Sequence, residues 1–123
     1  MGVNNNEAML ATTSDSVAMK TVTNWINSLT PLDQDLFATI NGTANGTSTI
    51  VLAPCGSKKG WPQDAEAKVL RVHFTDLLVS LNYEDGSNPF SWIEVGFGEY
   101  GQKVLAGNNT NAYTASEYAE EEE

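Results

Sequence analysis

The chain has 123 residues, the length of one domain, and is 41% hydrophobic and 9% aromatic, which argues for a buried core and against wholesale disorder. Sixteen acids against six bases give a formal net charge of −10. Phosphate backbones are bound by Lys and Arg displacing counterions, so this balance argues against direct nucleic-acid binding and for a basic protein partner.

One cysteine and one histidine provide neither an internal disulfide nor a set of soft metal ligands, so no metal and no cofactor are expected. No run reaches the roughly 18 apolar residues of a membrane span, and the start, MGVNNNEAMLATT, has no basic region followed by an apolar run. These features predict a cytoplasmic protein with a reduced thiol and no membrane contact.

Residues 1–13 are polar, Asn-rich and without period, and read as a flexible N-terminal arm. A helix is expected from Ser14 or Asp15 to Thr30, because Ala18, Met19, Val22, Trp25, Ile26 and Leu29 recur at steps of three and four. TPLD then predicts a second helix start, with Thr30 as cap and Pro31 in the first turn, where its missing N–H costs nothing. Its stripe is Leu32, Leu36, Phe37 and Ile40, and Asn41-Gly42 closes it.

NGTANGTS, residues 41–48, repeats a turn tripeptide and reads as a loop. STIVLAPC follows as a strand; the continuous run Ile50, Val51, Leu52 suits a strand covered on both faces. The strongest helix signal lies at 62–81, where Ala67, Leu70, Phe74, Leu77, Leu78 and Leu81 repeat at helical spacing behind Pro62.

YEDGSNP, residues 83–89, is a turn cluster. Beyond it Ile93, Val95 and Phe97 alternate with Trp92, Glu94 and Gly96, which predicts a strand. GEYG reverses the chain into a partner strand through Lys103, Val104 and Leu105, and the glycines at 96, 98 and 101 suggest a bulge or close packing. The order helix, helix, strand, helix, strand, strand predicts one small α+β domain over 14–107. About three strands pack under the central helix 62–81, and 108–123 form a polar, acidic C-terminal tail.

Two places carry chemistry. In APCGSKKGW, residues 53–61, a strand, a glycine turn and a helix start stand in the order used for anion binding, with Ser57, Lys58, Lys59 and Trp61 as the candidate ligand-binding residues. The glycines at 56 and 60 and the following Trp-Pro depart from a nucleotide-binding P-loop, so a structural corner is the competing reading. Cys55 has no orienting base nearby in the pattern, His73 and Asp76 are helical neighbours, and no residues are expected to be catalytic.

The second place is an acidic, aromatic-studded face. Its expected members are Glu84, Asp85, Trp92, Glu94, Glu99 and Tyr100, continued by Glu117, Tyr118, Glu120, Glu121, Glu122 and Glu123. The acidic composition and Glu-rich last seven residues resemble small proteins that phages use to inhibit host nucleic-acid enzymes. That resemblance implies a non-enzymatic inhibitor in the host cytoplasm, bound to a basic, nucleic-acid-handling partner. The alternatives are a nucleotide or other anion-binding module at the 56–62 turn and a structural subunit of a larger assembly.

Overall fold

The computed structural model describes residues 5–58, 60–99 and 101–108. Their elements are β1 (Asn5–Thr13), α1 (Ser16–Asn27), α2 (Pro31–Gln34), β2 (Phe37–Asn41), β3 (Ser48–Leu52), α3 (Pro62–Ser80), β4 (Phe90–Gly98) and β5 (Gly101–Gly107). The five strands form one antiparallel sheet in the order β2-β3-β1-β4-β5. The class is α+β, as the composition of elements predicts, but the sheet has five strands rather than three.

The two additional strands come from segments that the sequence reads otherwise. Most of the expected arm, Asn5–Thr13, is the central strand, pairing with β3 through Met9–Thr13 and with β4 along its whole length. Its alternation is muted because Ala8, Ala11, Thr12 and Thr13 are small, and both partners lie far away in the chain.

The expected second helix runs for only one turn, and Phe37–Asn41 forms a hairpin with β3. Leu32 is 81% and Ile40 59% exposed, so the supposed helical stripe never assembles. Ala44 accepts from the Thr47 N–H, and Asn45 and Gly46 between them take φ of 57° and 62°. This is a type I′ reversal, whose twist matches that of the strands it joins.

Side chains alternate across a strand, and the register carries that alternation across the sheet. Met9 and Ala11 stand opposite Leu52 and Ile50 on one side and Glu94 and Trp92 on the other. All but Glu94 are buried, and they join Ala18, Val22 and Ile26 of α1 and Leu70, Phe74 and Leu78 of α3 in a single core. Both longer helices therefore cover the same face. Trp25 stacks on Phe74 with ring centres 5.8 Å apart, and Phe37 meets both edge-on, which seals the β2 side of the layer.

β3 and β4 are both antiparallel to β1, which lies between them, so α3 carries the chain across the sheet above β1. Helix α1 begins at an Asp15 cap that accepts from the N–H of Val17 at 2.9 Å and of Ala18 at 3.1 Å. Asn88 links the end of α3 to β4: its amide donates to Leu78 O at 2.6 Å, and its oxygen accepts from Phe90 N–H at 2.8 Å. Among the described residues no helix is long and apolar enough to cross a membrane.

Candidate interaction surface

Among the described residues no helix lies on the other face of the sheet. Its middle row is Ala38, Val51, Leu10 and Ile93, placed side by side by the register of β2, β3, β1 and β4. A second row runs Ala8, Val95, Val104, and a third pairs Phe97 with Asn6 and Gln102. Below them Thr12 and Thr49 share a 2.8 Å hydrogen bond beside Ile40 and Ser91. Leu10 is 42%, Phe97 42% and Val104 64% exposed, whereas Met9, adjacent to Leu10 in the chain, is fully buried.

No residue in these rows is ionisable. Of the charged strand residues, Glu7 and Glu94 share the helix-covered face, and Lys103 pairs with Gly96 on that same side. A contiguous apolar patch is uncommon on a monomeric surface and marks contact sites. Here it spans the sheet of a chain with formal charge −10. Val51 lies half-buried on this open face, so β3 is covered on one side and not on both. The strand alternation of Ile93, Val95 and Phe97 is as the sequence predicts, and the structure turns that side outward.

Beneath the sheet, a cleft of about 240 Å³ is lined by Glu7, Lys68, Arg71, Val72, Thr75, Asp76 and Glu94. Arg71 is 6% exposed; its Nη2 lies 2.7 Å from Glu7 and its Nε 3.4 Å from Glu94. One guanidinium thus offsets two carboxylates on neighbouring strands and clamps α3 to the sheet. Arg71 escapes the sequence reading because it is charged, yet its place four residues after Ala67 and three before Phe74 puts it on the buried stripe.

Of the expected acidic and aromatic residues, the described ones, Glu84, Asp85, Trp92, Glu94 and Glu99, do not share one face. Glu84 and Asp85 are exposed in the turn before β4, with Asp85 accepting from Ser87 N–H at 2.9 Å and Ser87 Oγ at 2.6 Å. These bonds hold the Asp85 carboxyl below its ordinary value, the hydroxyl contact contributing most. Glu99 is exposed at the far end of β4, nine residues of strand away, or roughly 30 Å. Trp92 faces the core, 9% exposed, and Glu94 faces Arg71. Tyr100, Glu117, Tyr118 and Glu120 to Glu123 lie outside the described residues.

At the 53–61 corner, Ser57 contacts Cys55 Sγ at 3.2 Å, Lys58 is half-buried and Trp61 is 52% exposed at the start of α3. Lys59 lies outside the described residues. The Gly60 N–H donates to Asp64 at 3.1 Å, so a carboxylate of the chain itself occupies part of this helix start. His73 is exposed on α3. Among the described residues no group of three or more His, Cys, Asp or Glu is placed to hold a metal ion.

The open sheet face is the feature that sequence reasoning missed. Alternation in β4 and β5 hints at an apolar side, but its extent depends on β1 and β2, whose sequences carry no strand pattern of their own. Comparison with protein-family models, curated proteins and solved structures gives no match for this chain.

Proposed function

We propose that the protein is a non-enzymatic protein-binding module that seats its partner on the open face of the sheet. The observation that carries this reading is the uncharged, apolar surface running from Ile40 across Leu10 to Val104. Burying such a surface releases about 25 cal/mol per Å² of apolar area, and no charge has to be desolvated to do so.

The experiment is capture on immobilised chain from a bacterial lysate to which untagged copies of the same chain are added. The wild type is compared with Leu10→Glu. Any protein held by the wild type and lost from the variant supports the reading; identical retention by both would overturn it.

A second reading assigns the exposed acids Glu84, Asp85 and Glu99, with the Glu-rich C-terminal segment, to steering a basic partner such as a nucleic-acid-handling enzyme that the protein inhibits. The net charge of −10 supports it. Its mark is retention that falls steeply with salt and slows when residues 117–123 are deleted, while Leu10→Glu leaves it intact.

A further inference from the structure

We infer that the occupant of the open sheet face is a second copy of this chain, the two sheets packing face to face about a two-fold axis. The inference rests on the reading of that face as the contact surface and names what covers it.

Charge selects the partner. In a two-fold interface the same patch of each copy meets itself, so a patch that carries mainly acids sets carboxylates against carboxylates. A chain of net charge −10 apposes itself with least repulsion where it carries no charge. Helix α2 and its C-cap carry Asp33 and Asp35, α3 carries Asp64, Glu66 and Asp76, and the turns flanking β4 carry Glu84, Asp85 and Glu99. The face built on Leu10, Val51, Ile93, Val95, Phe97 and Val104 has none. A basic partner would find no carboxylate on it to pair with.

Size and shape agree. Five strands about 4.8 Å apart and some 20 Å long give a footprint of roughly 500 Å². Pleated side chains enlarge it, so two copies bury on the order of 1,000–1,200 Å², the size of weak, reversible interfaces. Branched and aromatic side chains on a pleated surface interdigitate when two sheets stack about 10 Å apart, the arrangement of a β-sandwich. Such a dimer is reversible, with each copy keeping its own helix-covered core.

Sedimentation equilibrium of the full chain, from low micromolar to near-millimolar concentration, tests the inference. The expected result is a monomer–dimer equilibrium that tightens about tenfold as salt rises and the Debye length falls from about 30 Å at 0.01 M to about 3 Å at 1 M. Leu10 lies in the middle row of the face, so Leu10→Glu is expected to weaken the dimer roughly 100-fold or more by burying two carboxylates. Circular dichroism and the urea midpoint at low concentration stay near wild type.

A wild type that is monomeric at near-millimolar concentration would overturn the inference. So would a dimer indifferent to both Leu10→Glu and Val95→Lys, or one that loosens in salt. Conversion of a monomer to a dimer on deleting 109–123 would assign the face to the chain's own C-terminal segment. A monomer that loses a lysate protein on Leu10→Glu would reject the second copy and leave the protein-binding reading standing.

Discussion

The Arg71 guanidinium lies 2.7 Å from the Glu7 carboxylate, joining the buried side of α3 to the central strand. Because β1 pairs with both β3 and β4, this one contact couples the helix layer to the middle of the sheet. Glu94 approaches the same guanidinium from β4, at 3.4 Å.

Removing the cation leaves two partly buried carboxylates without a counter-charge. Arg71→Met is expected to lower the unfolding free energy by roughly 3 kcal/mol, read from urea denaturation. Replacing all three residues, with Glu7→Gln and Glu94→Gln added, is expected to recover most of that loss. A triple variant no more stable than the single one would show that packing of the Arg71 stem, rather than charge, holds the contact.

Met9 and Leu10 are neighbours in the chain on opposite faces of the sheet. Met9→Ala opens a cavity in the core and is expected to cost about 2–5 kcal/mol. Leu10→Ala, measured at a concentration where the chain is monomeric, is expected to cost less than about 1 kcal/mol. Equal losses at the two sites would contradict the register of β1.

Asp15 caps α1 and also accepts from the Tyr83 hydroxyl, which fastens the α3–β4 turn to the start of that helix. The Tyr83 bond, followed by the Ala18 N–H, holds the Asp15 carboxyl below its ordinary 3.8; the same bond raises the phenol above its ordinary 10.0. Asp15 therefore stabilises the fold above about pH 4, and the contribution fades as pH falls through its lowered folded value. For Tyr83 the contribution is complete below about pH 10 and fades as pH rises through its raised folded value. Tyr83→Phe is expected to be less stable than wild type at neutral pH, with the gap closing at both extremes. Urea midpoints measured across pH read this out, and a gap independent of pH would refute it.

Gly46 takes φ of +62°, and a Cβ there would meet nothing within 4 Å. Any penalty for a side chain is therefore one of backbone conformation alone. Gly46→Ala is expected to cost about 1 kcal/mol. Installing d-alanine by chemical ligation is expected to restore the stability, because the mirror-image residue favours positive φ.

How far the fold could be read varied with the range of the interactions that build each element. Helices α1 and α3 repeat apolar residues over several turns, and the β4–β5 reversal has glycines where a tight turn needs them, so local pattern located all three. β1 gives no such signal, since its small residues become a strand only when chains some 40 and 80 positions away pair on either side. In β2 the steps from Leu32 to Ile40 mimic a helix. Pairing with β3 and the place of Phe37 between Trp25 and Phe74 outweigh that weak preference.

By itself the sequence determined that the chain is acidic, has an apolar core, belongs to the α+β class and alternates along β4. Only the tertiary structure decided which side of that alternation is inside. Ile93, Val95 and Phe97 are the more hydrophobic set, yet Phe90, Trp92 and Glu94 face the helices, because α3 crosses over β1 on their side and offers Arg71 to Glu94 and Phe74 and Leu78 to the core. The placement of a crossover helix is a property of the whole sheet. It buries one face and, among the described residues, leaves the other apolar and uncharged.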